Sequence, residues 1–178
     1  MKTLFKLIAL ALVVAIGGFA YVASQQPADF SITRSATIDA PADVVFSHVN
    51  NLHAWEAWSP WAKLDPNATA TYEGPEAGEG AKMAWNGNYE VGQGSMTITS
   101  SEPNNQITFQ LDFVKPMKAT NKAQFTFAPE GDKTLVTWSM SGTNTFIGKA
   151  MSLLFNCEKM VGGQFEQGLS DLNKVVAQ

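Results

Sequence analysis

Ser35-Ala-Thr-Ile-Asp-Ala-Pro-Ala-Asp-Val-Val-Phe-Ser-His-Val-Asn-Asn-Leu-His-Ala-Trp-Glu-Ala-Trp-Ser-Pro-Trp61 is the stretch from which the fold can be read. It predicts a strand end, a sharp turn, a capped helix and three tryptophans at three-residue spacing. Ile38 closes a strand-like run. Pro41 suits the start of a helix, because its fixed φ fits a first turn and its missing N–H costs nothing there. Asp43 adds negative charge where the helix dipole favours it. Val44, Val45, Phe46 and Val49 form the expected buried side, and Asn50-Asn51 the expected end. Trp55, Trp58 and Trp61 follow, with Pro60 breaking any helix among them.

Working outward, Phe30, Ile32, Ala36 and Ile38 alternate with polar residues, which predicts a half-buried strand. Arg34 falls in phase with the apolar side, so a bulge or an inward polar contact is expected there. Downstream, Ala70 to Glu73 and Lys82 to Asn86 read as short strands, and Asn86-Gly87 as a hairpin turn. Gly92 to Ser101, Gln106 to Val114, Lys122 to Ala128 and Thr134 to Ser141 continue an antiparallel meander. Phe146 to Val176 reads as one long helix. Its stripe runs through Ile147, Met151, Leu154, Glu158, Val161, Phe165, Leu169, Leu172 and Val176. Gly162-Gly163 weakens that helix and predicts a bend or a close backbone approach.

The segments Ile38-Asp-Ala-Pro-Ala-Asp-Val-Val-Phe46 and Trp55-Glu-Ala-Trp-Ser-Pro-Trp61 resemble the START/Bet v 1-like (SRPBCC) superfamily, in its polyketide cyclase-like branch. The resemblance spans roughly residues 29 to 177. It implies an α+β helix-grip fold. A curved antiparallel sheet of about six or seven strands would wrap a long C-terminal helix, with two short helices after the first strand. It also implies a cavity between sheet and helix. Such folds host carriers, sensors and enzymes, so architecture is what the resemblance carries.

Residues 1–24 read as an N-terminal transmembrane signal anchor, 25–28 as a linker and 29–178 as the folded domain. Leu7 to Ala23 carries no charge and follows Lys2 and Lys6. At about 1.5 Å per residue it reaches roughly 25 Å, which Thr3, Leu4 and Phe5 extend if Lys6 snorkels. Lysines on the inner side would place the N-terminus in the cytoplasm and the domain outside it, in a single-pass cell-membrane protein. The competing reading is a cleaved signal peptide, with Gly18-Phe-Ala20 as the better cut site and a secreted or periplasmic product.

The 178 residues include 12 basic and 16 acidic ones, and Arg34 is the sole arginine. No basic stripe exists, which argues against nucleic-acid binding. One cysteine, Cys157, cannot form an internal disulfide. His48, His53 and Cys157 stand apart from any ligand spacing, so no metal is expected. Neither Gly92-Gln-Gly-Ser95 nor Gly78-Glu-Gly80 fits a nucleophile elbow or a dinucleotide fingerprint, and no cofactor is implied.

Two groups of side chains remain as candidates. Glu158, inside an apolar stripe, reads either as a cavity carboxylate with a raised pKa or as a residue rotated to solvent. The tryptophans read either as core packing or as an aromatic rim formed by Trp55, Trp58 and Trp61. Trp85, Phe109, Phe113, Phe125, Phe127 and Trp138 are candidates to line the interior, as are Met140, Met151, Leu154, Val161 and Phe165. The leading functional expectation is a membrane-tethered monomer that binds a lipid, aromatic or polyketide-like molecule. The alternatives are a cyclase-like enzyme using Glu158, Arg34, Asp112 or Tyr89, and an envelope interaction domain with an incidental cavity.

Overall fold

The computed structural model describes residues 2–177. Its order is helix α1 (Lys2–Gln25), strand β1 (Asp29–Ile38), helix α2 (Ala42–Asn50) and the short helix α3 (Trp55–Trp58). Strands β2 (Thr69–Glu73), β3 (Lys82–Asn86), β4 (Gln93–Glu102), β5 (Gln106–Lys115), β6 (Ala119–Glu130) and β7 (Lys133–Thr143) follow. Helices α4 (Phe146–Leu154) and α5 (Cys157–Val176) close the chain. This is the expected α+β arrangement: a seven-stranded antiparallel sheet with a long C-terminal helix and short helices after the first strand. The residues fall into two compact units. One holds the chain up to Phe30 together with Thr143–Cys157, and the other holds Ser31–Gly142 with Glu158 onward.

In the larger unit the strand order is β1-β7-β6-β5-β4-β3-β2. Phe125 faces Trp138 across β6 and β7, and Ile107 faces Phe125 across β5 and β6. Register shifts leave Thr99 of β4 and Val114 of β5 as extra residues, bulges that bend and twist a strand. The predicted turn at Asn86-Gly87 is a longer connection, running from Gly87 to Gly92. Gly92 takes a φ of +70°, the left-handed region that glycine enters without a Cβ penalty.

Pro41 stands at the cap of α2, where its carbonyl accepts hydrogen bonds from Val44 and Val45 N–H. Ala42, Val45, Phe46 and Val49 are buried, whereas Val44, expected on that side, is exposed. Asn51 Oδ1 accepts from His53 N–H at 2.9 Å and turns the chain into a single 3-10 turn before α3. Trp55 Nε1 then donates to the Val49 carbonyl at 2.9 Å, which ties α3 to α2.

The single helix expected over Phe146 to Val176 is two helices. Phe155 is extended (φ −127°, ψ 137°), and Asn156 stands just before α5, a position that favours short polar side chains. The break resets the helical phase, so the predicted stripe does not continue from Met151 and Leu154 into α5.

Helix α5 packs through Phe165, Gly168, Leu169 and Leu172, all buried. Phe165 stacks on Trp138 with centroids 4.2 Å apart and planes at 10°. A Cβ on Gly168 would lie 2.8 Å from Trp138 Cζ3 and 3.1 Å from Pro60 Cδ, so the helix backbone rests on both rings. Asp171 is also buried. It accepts from Lys63 Nζ and Lys174 Nζ, each at 2.8 Å. These two ammonium groups hold its carboxyl far below the ordinary carboxylate range.

The inward contact expected of Arg34 is an ion-pair cluster. Its Nη2 donates to Glu158 Oε1 at 2.8 Å and its Nε donates to Glu166 Oε1 at 2.6 Å. Gly162 lies one turn from both acids, and a Cβ there would overlap the guanidinium. The neighbouring Gly163 has open space around it.

Adjacent glycines should therefore respond to different degrees. Gly163→Ala should raise unfolding stability by about 0.8–1.0 kcal/mol through helix propensity alone. Gly162→Ala should gain less, because the new Cβ makes the Arg34 guanidinium swing aside from Glu158 and Glu166. Denaturant unfolding in detergent, followed by tryptophan fluorescence, checks both. The Asp171 carboxylate, with its lowered pKa, contributes stability that is complete above about pH 5 and is lost as pH falls through and below the ordinary value near 3.8. Asp171→Asn should cost about 1–2 kcal/mol at pH 7, and the difference from the native protein should shrink toward acid pH. A constant difference between pH 7 and pH 3 would contradict this assignment.

Candidate functional site

The larger unit encloses an aromatic interior between the sheet and α5. Its centre is Trp55, whose ring meets Trp58 at 4.5 Å, Phe109 at 5.5 Å, and Phe125 and Trp138 each at 5.9 Å. Trp138 lies 4.6 Å from Phe125 and 5.9 Å from Trp58. Phe127 extends the cluster toward Phe46 of α2, at 5.5 Å. Strand alternation puts Phe109, Phe125, Phe127 and Trp138 on one face of the sheet, and the α3 segment lays its tryptophans across them. Most of these pairs meet edge to face, the arrangement that ring quadrupoles favour.

Trp58, Phe109, Phe125, Phe127, Trp138 and Phe165 are thus brought together, and all are at most 3% exposed. Trp55 and Trp58 lie inside the cluster rather than at an open rim. Trp61, half-buried, sits at its edge, 5.8 Å from Trp138 and 6.3 Å from Phe165. Met140 on β7 and Val161 on α5 are half-buried. Trp85 and Phe113 form a pair of their own at 5.9 Å. Met151 and Leu154 lie on α4, in the smaller unit, and are exposed. Glu158 belongs to the first turn of α5, exposed and bound to Arg34. The stripe that suggested burial for Glu158 is the one interrupted at Phe155-Asn156.

The polar handles of the tryptophans differ. Trp55 Nε1 donates to Val49 and Trp85 Nε1 donates to the Val91 carbonyl at 3.3 Å. Trp58 Nε1 is fully buried and has no hydrogen-bond partner, the one such side-chain atom among the described residues. Three-residue spacing left Trp58 open between core packing and an aromatic rim. It carried no sign of this orphaned donor, because satisfaction of an indole N–H depends on which carbonyls the folded backbone presents.

Two grooves lie on the surface of the same unit. One, of about 370 Å³, includes Leu52, His53, Tyr72, Glu73 and Lys82. His53 stacks on Tyr72 at 3.7 Å, and burial, with Glu56 nearby, raises the Tyr72 phenol above its ordinary value. The other, of about 380 Å³, includes Asp112, Phe113, Val114 and Lys118. Asp112 accepts from Gln110 and Thr120, and these bonds hold its carboxyl below the ordinary value. Of the groups weighed for acid–base work, Arg34 and Glu158 meet as an ion pair. Asp112 lies in this second groove, and Tyr89 is 88% exposed on the loop between β3 and β4.

Helix α1 is long and apolar enough to cross a membrane. Its apolar side chains are mostly exposed, as in Phe5 at 74% and Val14 at 66%.

Solved structures similar to this chain include a protein of Chromobacterium violaceum, at 16% identity and TM-score 0.58 over 83% of this chain and 97% of that one. CalU16 from Micromonospora echinospora is similar at 22% identity and TM-score 0.56, over 83% and 76%. A protein of Arthrobacter aurescens is similar at 17% identity and TM-score 0.60, over 83% and 86%. At these identities the likeness is one of fold. No curated protein matches the chain. The family model described as polyketide cyclase / dehydrase and lipid transport matches residues 29–177, and with the fold and the strand-helix-tryptophan segment in agreement, the chain belongs to that family.

Proposed function

We propose that this protein is a membrane-tethered binder of a small hydrophobic molecule, a lipid or an aromatic or polyketide-like compound, held between the sheet and α5. The observation that carries the proposal is the Trp58 indole N–H, buried without a partner in an interior otherwise built of rings. A buried donor left unpaired costs about 1–3 kcal/mol, so native proteins rarely keep one without a use. A ligand with one carbonyl or hydroxyl oxygen and an apolar body matches this interior: apolar walls for affinity, one donor for orientation. The rings are closely packed, so admission requires side chains to turn or α5 to move from the sheet. The half-buried Met140 and Trp61 stand at positions where such adjustment is least costly.

In this reading residues 1–24 are the anchor, 25–28 the linker and 29–178 the binding domain. Lys2 and Lys6 keep the N-terminus in the cytoplasm and put the domain on the outer side of the cell membrane. The tether concentrates the domain where apolar molecules dissolve.

A matched pair of probes separates the donor from the walls. 2-Acetylnaphthalene and 2-ethylnaphthalene differ by a carbonyl oxygen. Trp58→Phe should weaken the ketone about tenfold, ~1.4 kcal/mol, and change the hydrocarbon by no more than about twofold. Calorimetric titration of both probes gives the answer. Equal losses for the two would assign Trp58 to packing alone. Absence of binding by the native protein, together with an empty native mass spectrum after gentle membrane extraction, would shift the function to a protein partner.

A further inference from the structure

Helix α4 has a composition that water does not favour. Between Asn144 and Cys157 the only charged side chain is Lys149. No residue of α4 is buried, and Phe146, Ile147, Leu154 and the following Phe155 are 53%, 60%, 64% and 50% exposed. A helix on a water-soluble domain turns one apolar stripe inward and a polar face outward. Here the apolar side chains are turned outward.

The smaller unit indicates what would cover them. Helix α4 packs against α1, the helix able to cross a membrane. The start of α4 is pinned where α1 ends. Asn144 N–H donates to the Ala28 carbonyl at 2.7 Å, and Thr143 Oγ1 donates to Asp29 Oδ1 at 3.0 Å. A helix that begins level with the end of α1 and lies against it runs back along the last turns of α1. Nine residues at about 1.5 Å each extend roughly 13 Å, close to the depth of one leaflet of a hydrocarbon core of about 30 Å. The hydroxyl groups at α4 are engaged locally. Thr145 Oγ1 accepts from Gly148 N–H at 3.3 Å, and Ser152 Oγ donates to the Lys149 carbonyl at 2.8 Å. Hydroxyl groups bonded within the helix are what a lipid environment demands. Lys149 has a stem long enough to carry its ammonium to the headgroup layer.

We propose that α4 and Phe155 insert into the leaflet from which α1 emerges, so that acyl chains cover Phe146, Ile147, Leu154 and Phe155. The domain would then be held at two points, by a span and by an interfacial helix, instead of swinging on the linker. This rests on the tethered reading above, which the following measurement tests separately.

Full-length protein is reconstituted in phosphatidylcholine–phosphatidylglycerol vesicles, with a nitroxide at one introduced cysteine in a Cys157→Ser background. The sites are Leu12→Cys on α1, Phe155→Cys, and Tyr89→Cys on the loop between β3 and β4 as the aqueous reference. Leu154→Cys substitutes if the Phe155 variant misfolds. The expected result is that labels at 12 and 155 collide severalfold more with oxygen, and severalfold less with a water-soluble nickel complex, than the label at 89. A lipid signature at 12 with an aqueous one at 155 overturns the α4 proposal and leaves the tether intact. Aqueous signatures at both overturn the two together. A label at 155 shielded from oxygen and nickel alike would also overturn it, because that signature belongs to a protein contact.

Discussion

The stack of Phe165 on Trp138 is the contact around which the larger unit is organised. Trp138 projects from β7, Phe165 comes from α5, and Pro60 and Gly168 close the same contact from the α3 side and from the helix backbone. Three chain segments far apart in sequence thereby share one ring. The tryptophans of the α3 segment fill the remaining space, and each edge-to-face pair adds about 0.5–1.5 kcal/mol beyond the area it buries. Removal of the side chain at position 168 is what allows so close an approach. A sheet with bulged β4 and a helix with a bare patch are two halves of one fit.

Much of this architecture was legible in the residues themselves. Alternation in Ile107 to Phe113, in Phe125 and Phe127, and in Val136 to Met140 located β5, β6 and β7, because a half-buried strand must alternate. The Ala-Pro helix start and the tryptophan spacing located α2 and α3. Arg34, in phase with apolar neighbours, signalled its own inward contact, and Gly162 signalled a close approach. What remained hidden was the pairing of the two: nothing local says that an arginine in β1 meets a glycine 128 positions later. The break before α5 was hidden for a different reason. Apolar residues continue through Phe155 at helical spacing, yet Phe155 itself is extended and a new helix starts at Cys157.

The candidate site divides in the same way. Which rings belong to the interior followed from phase, so Phe109, Phe125 and Trp138 were found by counting. How the rings fill that interior, and which indole N–H lacks an acceptor, are properties of three-dimensional packing. Glu158 shows the limit most plainly, since a stripe drawn across a helix break left it open between an apolar cavity and solvent. Its charge is instead offset by Arg34 in an accessible position. Family membership gives the scaffold, and the chemistry performed on it rests on individual side chains.

The contact between Arg34 and Gly162 also bears on how the sequence can change over time. The guanidinium occupies the volume that any larger residue at 162 would need, so the two positions are not free to vary separately. A side chain can appear at 162 only if the Arg34 guanidinium swings aside or residue 34 shortens, and either way the two acids at 158 and 166 lose the cation that joins them. Drift at this corner of the molecule is therefore a matter of linked replacements across four positions. A sequence that kept Arg34 bound to both acids would be expected to keep the bare backbone at 162.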